Sequence, residues 1–410
     1  MRIGILLAVL GPGVITSNVD NDAGGIYTYS LCGARYGYAL LWLLIPVTLS
    51  LVVVQEMCAR MGVVTGKGLA DLIREEFGLR VTFLVMMAVL FMNLGNTISE
   101  FAGLASGLEL YGVSRYVSVP LGAIFVWWLV VFGSYKTLEN VFLVACLFYL
   151  AYPISGFLSH PDWSAAARGA LVPTLPLDTQ GLAMAVGIIG TTIAPWMQFY
   201  LQSAVVEKEV ELSQYGKLRL DVVVGSILAA VVAFFIVVAC AATLHQQGIV
   251  TISSAAEAAQ ALAPLAGEYA RALFVFGLVN ASLFAASILP LATAYSVCEG
   301  LGLEAGVNKK FGEAPEFYWL FTALIVLGAG TILVPGVPLL PIILISQILN
   351  GLLLPVILYF MVRLVNRREI MGGFANGPLR NLVTWATMII LTVLSAALIV
   401  TSFLPVTPPS

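Results

Sequence analysis

Apolar runs long enough to cross a bilayer recur about eleven times along these 410 residues. Each crossing needs roughly 20 predominantly apolar residues in a helix, because hydrocarbon offers the backbone no partner outside the helix itself. The runs fall near 3–34 (interrupted), 38–62, 81–111, 117–134, 139–158, 181–206 (interrupted), 219–244, 267–300, 317–335, 338–365 and 381–404. An all-α polytopic membrane protein is the expected fold class. Only 10% of the chain is charged and 60% is hydrophobic, against roughly 25% charged in a soluble domain. That balance argues against a soluble enzyme, a nucleic-acid binder or a disordered scaffold. No connector is long enough to fold alone. Those at 63–80 and 206–218 carry mixed charges and are expected to form short surface helices.

Charge placement sets orientation. Lys and Arg concentrate in cytoplasmic connectors. With the N-terminus inside, fifteen basic residues (among them Arg60, Lys67, Lys208, Lys309 and Arg380) fall on the cytoplasmic side. Only Arg35, Arg115, Arg168 and Arg271 fall outside. A cytoplasmic N-terminus, an extracytoplasmic C-terminus and a multi-pass plasma (inner) membrane protein are the expectation. The five cysteines show no paired spacing, and His160 and His245 lie in connectors. Neither a disulfide framework nor an intramembrane histidine site is expected.

Two runs are broken in matching places. The first carries Asp20, Asp22, Gly24 and Gly25 at membrane depth. An acid there costs roughly 2.5–3.5 kcal/mol on insertion scales, so two acids demand a compensating partner. The sixth run reads Gly190-Thr191-Thr192-Ile193-Ala194-Pro195-Trp196-Met197-Gln198. Pro195 lacks a backbone donor and should end the helix before it. Runs one and six open two successive five-span sets, 1–160 and 181–365, with 381–404 as an additional span. Interrupted helices at equivalent positions of two halves point to a transporter site at the midplane.

Run three adds Asn93, Asn96 and Glu100 on one helical face, and run ten adds Gln347 and Asn350. The two run-three amides, Asn93 and Asn96, are expected to bridge helices. The carboxylate of Glu100 is expected to face a cavity or ion path. The inward donors are carboxylates, amides and carbonyls, with Met197 the one thioether near the breaks. Oxygen donors suit hard cations such as Mg²⁺, Ca²⁺ and Mn²⁺. Gly24, Gly25 and Ala194 are expected to leave room beside them, which suits an ion that keeps several waters.

The stretch from Gly11-Pro12 through Gly33-Ala34-Arg35-Tyr36-Gly37-Tyr38 to Leu40-Leu41-Trp42 resembles the Nramp family of divalent-metal transporters. So do Ala59–Lys67 and Ser346-Gln347. The resemblance implies a LeuT-like 5+5 inverted repeat with metal bound between broken spans one and six. It places Asp22-Ala23-Gly24-Gly25 on the family's Asp-Pro-Gly-Asn, keeping the ligand Asp as Asp22 and losing the Asn at Gly25. The family's Met-Pro-His becomes Ala194-Pro195-Trp196, and its second histidine aligns with Gln202. Glu100 matches the span-three Glu of the family's proton path, while the acid three residues earlier becomes Thr97. Loss of sulfur and histidine is similar to the branch of Nramp-related magnesium transporters.

The implied metal site comprises Asp22, Asp20, Gly25, Ala194, Thr191, Gln198, Gln347 and Glu100. Its implied cargo is Mg²⁺, with Mn²⁺ accepted, moved by alternating access without proton coupling. A proton-coupled Mn²⁺/Fe²⁺ importer and a sodium-coupled organic solute symporter stand as alternatives. No cofactor, nucleic acid or obligate protein partner is expected beyond the metal ion and the lipid bilayer. No enzyme motif is visible.

Overall fold

The computed structural model of the chain describes residues 11–133, 135–252, 258 and 270–403. The outermost parts of the first, eighth and last expected spans fall outside them. Helices account for every expected span. They are α1 (Pro12–Asn18), α2 (Ala23–Tyr36), α3 (Leu44–Thr65), α4 (Leu69–Glu109), α5 (Arg115–Phe132), α6 (Tyr135–Leu147), α7 (Ala151–Leu158) and α8 (Trp163–Leu171). The second half continues with α9 (Thr179–Thr192), α10 (Pro195–Glu207), α11 (Tyr215–Thr243), α12 (Ala270–Leu301), α13 (Pro315–Ile332), α14 (Leu339–Val365) and α15 (Pro378–Phe403). Among the described residues, ten helical segments are long and apolar enough to cross a bilayer. The first span adds an eleventh, cut by its break into α1 and α2.

The apolar surface is turned outward as well as inward. Leu84, Ile124 and Leu382 are each more than 60% exposed, which hydrocarbon accommodates and water would not. Polar side chains instead collect in the interior: Asp20, Asp22, Glu100 and Gln347 are each at most 4% exposed.

Glycine lets the site-bearing helices touch backbone to backbone. A Cβ at Gly190 of α9 would lie 2.3 Å from the Gln347 carbonyl of α14, and one at Gly351 of α14 would lie 2.5 Å from the Val186 carbonyl. Gly13 and Gly225 do the same for α1 and α11, at 2.7 and 2.6 Å from the opposing Cα atoms of Val222 and Val14. Small residues at such crossings replace the missing hydrophobic drive with close van der Waals contact.

The connectors only partly follow expectation. The 63–80 segment does contain a short helix, since α4 begins at Leu69 and is bent at Gly78, whose φ of 80° and ψ of 166° leave the helical region. The 206–218 segment instead holds a single 3₁₀ turn, Leu212–Gln214, before α11. Arg60, near the end of α3, is 1% exposed. It pairs with Glu56 one turn earlier at 3.2 Å, and Glu56 also receives Arg380 of α15 at 3.4 Å and the Tyr215 hydroxyl. Buried charge here is structural glue for one end of the bundle.

Candidate metal centre

Both breaks follow from local backbone chemistry. In the first span a 3₁₀ turn at Val19–Asn21 ends α1, and Asp22 takes an extended conformation (φ −69°, ψ −172°) as the N-cap of α2. Its Oδ1 accepts the Gly25 N–H at 2.7 Å, the usual task of an N-cap carboxylate. In the sixth span α9 stops at Thr192 and α10 starts at Pro195. Pro195 stands four residues after Thr191 and has no N–H, so the Thr191 carbonyl has no intrahelical donor.

These breaks create a polarised centre. The carbonyl ends of α1 and α9 carry partial negative charge, which favours a cation. The N–H end of α2 holds carboxylates. Glu100 Oε2 accepts the Ala23 N–H at 3.2 Å, beside the Asp22 cap. Asp22 and Glu100 thus converge on one helix terminus from spans one and three. Asp20 is turned toward Tyr29, whose hydroxyl donates to Asp20 Oδ2 at 3.4 Å and lies 2.7 Å from Thr192 Oγ1. Among the described residues no group of three or more His, Cys, Asp and Glu side chains is arranged to hold a metal. Asp22 and Glu100 share the α2 terminus, while Asp20 faces Tyr29 on the other side of the turn.

Gly24 and Gly25 do not leave the open space expected of them. A Cβ at Gly24 would sit 1.9 Å from Gln347 Nε2, and one at Gly25 would sit 2.2 Å from the Asp20 carbonyl and 3.4 Å from Thr191 Oγ1. The glycines bring Gln347, Asp20 and Thr191 into contact with the Asp22 turn. Gln347 Oε1 accepts from Asn350 at 3.0 Å, and Asn350 Oδ1 accepts from Asn96 at 2.9 Å. A chain of amides therefore runs from span three through span ten to the break. The expectation that Asn96 bridges helices holds; Asn93 does so separately, on Thr293 at 2.8 Å.

Other expected residues do different work. With its nitrogen facing back along α10, the Gln198 amide donates to the Ala194 and Pro195 carbonyls at 2.6 and 3.2 Å. Ala194 contributes its carbonyl to that contact. Gln202 donates to the Lys67 carbonyl at 2.8 Å, at the α3–α4 connector.

Two buried oxygens beside the Asp22 turn have no hydrogen-bond partner: Asp20 Oδ1 and Thr191 Oγ1. Orphaned acceptors cost about 1–3 kcal/mol each unless a water or a cation meets them. Small cavities border α1 and α2. A cavity of about 10 Å³ lies beyond Ile15 toward Tyr200 and Tyr295, and one of about 20 Å³ lies beyond Ala23 toward Phe274 and Ile343. Each has room for about one water.

One residue escaped the sequence reading. Asp221 of α11 accepts the N–H groups of Gly11, Gly13 and Val14 at 2.9, 2.7 and 3.3 Å, skipping Pro12, which has none. It holds the start of α1 with a carboxylate from a distant helix, and nothing in its local sequence marks it. Asp221→Ala is expected to lower stability by about 3 kcal/mol, the scale of a broken buried charged contact. Thermal unfolding in detergent checks this; an unchanged midpoint would show that the contact carries no stability.

A profile for natural resistance-associated macrophage protein-like (Nramp) proteins matches residues 13–401. The chain belongs to the Nramp family. Curated relatives of this Nramp chain include the divalent metal cation transporter MntH of Yersinia pestis (strain Pestoides F), 27% identical over 406 residues, covering 97% of this chain and 95% of the relative. MntH of Granulibacter bethesdensis is also 27% identical, covering 99% of this chain and 92% of the relative. Among solved structures, the Eremococcus coleocola manganese transporter bound to an aromatic bis-isothiourea compound superposes with a TM-score of 0.78 at 21% identity, covering 99% of this chain and 89% of that one. Mhp1, a nucleobase-cation-symport-1 family transporter, gives 0.59 at 13% identity over 96% and 93% of the two chains. The Nramp chain thus has the expected LeuT-type fold. Its relatives are named transporters, not enzymes.

Proposed function

We propose that this Nramp protein carries a divalent metal cation through the membrane by alternating access, preferring Mg²⁺, accepting Mn²⁺ and moving no proton with it. Metal cargo is supported by the relatives named MntH and manganese transporter. The Mg²⁺ preference is supported by one observation: the side chains packed about the Asp22 turn, Asp20, Glu100, Thr191 and Gln347, carry oxygen and amide donors. Asp22 is the proposed anchor, directly or through a retained water, with Glu100 beside it on the α2 terminus. The Asp20 and Thr191 oxygens and the Ala194 carbonyl complete the proposed ligand set. Gln347 lies against Gly24 and must retract for a hydrated ion to enter, while Gln198 holds the α10 carbonyls in place. Two five-span repeats, 1–160 and 181–365, would supply the moving halves, with 381–404 outside them.

Mg²⁺ dehydrates reluctantly and favours oxygen ligands, whereas thioether or imidazole would select later transition metals. In proteoliposomes, excess Mg²⁺ is expected to inhibit Mn²⁺ uptake, and Cd²⁺ is expected to compete no better. Strong Cd²⁺ competition without Mg²⁺ inhibition would overturn the preference. The naming of relatives for manganese favours a second reading, a proton-coupled Mn²⁺ importer. A pH dye inside the same vesicles separates the two, because only that reading acidifies the lumen during uptake. The proposed cytoplasmic N-terminus is tested by thiol labelling: Lys67→Cys should react from inside and Arg115→Cys from outside.

A further inference from the structure

An apolar groove borders the broken sixth span. Between α3, α9 and α15 lies a groove of about 420 Å³. Ala185, Ile189 and Ile193 of α9 line it on the protein side, Val47 and Ala386 line it from α3 and α15, and Trp42 stands at one end. Its size is that of a small-molecule pocket, typically about 300–1,000 Å³, and too small for a helix of a second copy.

We propose that this groove is a binding site for one acyl chain of a bilayer phospholipid, seated against the broken sixth span. All three walls are membrane-spanning helices. The flanking side chains Leu49, Leu382 and Ile390 are 55%, 66% and 57% exposed, so the mouth opens toward lipid. The groove offers a guest no polar handle. Its two hydroxyls, Ser50 Oγ and Thr387 Oγ1, satisfy each other at 2.6 Å. Trp42 donates its indole N–H to the Thr174 carbonyl at 2.9 Å, the placement of an aromatic at the membrane–water interface. A chain entering beside Trp42 would run inward along α9 to Ile189, one turn before that helix ends at Thr192. The occupant therefore braces α9 between α3 and α15, next to the carbonyls proposed to meet the metal. Lipid binding at this groove is independent of which ion is carried.

A phosphatidylcholine bearing a diazirine on its acyl chain, photolysed in nanodiscs with the full chain, tests the site by mass spectrometry. Adducts are expected on Ile189, which lines the floor of the groove and is 4% exposed. Ala386→Trp, which fills the groove, is expected to cut those adducts about tenfold, equivalent to about 1.4 kcal/mol of binding. Labelling of Ile345, 54% exposed on α14, should not change. The milder Ala386→Leu serves if the Trp variant misfolds, with a smaller loss in the same direction. Labelling of Ile345 without labelling of α9 would overturn the site. So would α9 adducts unaffected by either variant, or adducts formed by a dodecyl detergent analogue but not by the phospholipid.

Discussion

Asp22→Asn is expected to lower metal uptake by about a hundredfold or more while leaving the fold intact. Removing one partner of a buried charge interaction costs about 3–5 kcal/mol, and the proposed anchor is the carboxylate charge. The substitution separates that role from capping. Asp22 accepts the Gly25 N–H through Oδ1 at 2.7 Å, and an amide oxygen can do the same, since Asn caps helices about as well as Asp. Asp22→Ala removes charge and cap together and so confounds them. Initial rates in proteoliposomes, beside thermal unfolding and size exclusion of the same preparation, read both effects. Unchanged uptake by a well-folded Asp22→Asn protein would move the anchor elsewhere, with Asp20 the nearest candidate.

Gly25→Asn is the substitution that restores the family's ligand amide, and it is expected to damage the protein instead. The Cβ would stand 2.2 Å from the Asp20 carbonyl, and the obstacle is backbone rather than a side chain that can rotate away. Either the turn at Asp20–Asp22 shifts, misplacing the proposed anchor, or α2 moves off α9. A loss of more than about tenfold in uptake follows, because overpacking a tight interior costs roughly 1–3 kcal/mol. Uptake of Mn²⁺ at or above the wild-type rate by Gly25→Asn would show that the turn accepts an amide, and the fit of this site to its glycine would be wrong.

Much of the architecture was legible because membrane helices are dictated by local rules. Run length, the helix-ending proline at 195 and the acid pair at 20 and 22 need no tertiary information, and each corresponds to an observed span or break. Small residues are less legible. Gly24, Gly25 and Ala194 suggested empty volume, yet Gln347 and the Asp20 carbonyl fill the positions beside the two glycines. A glycine reports that something comes close, and only packing says what. Arg60 is a related case: a count of basic residues does not reveal that it is buried in a pair with Glu56.

Residue order alone, through helix periodicity and the cost of charge in hydrocarbon, dictates eleven crossings, two interruptions and acids at bilayer depth. Partnership was decided in three dimensions. Asp221 meets Gly11 across 210 positions and Asn96 meets Asn350 across 254. Contacts at such separations depend on which helix faces pack together, and a run of apolar residues leaves its rotation about its own axis almost unmarked.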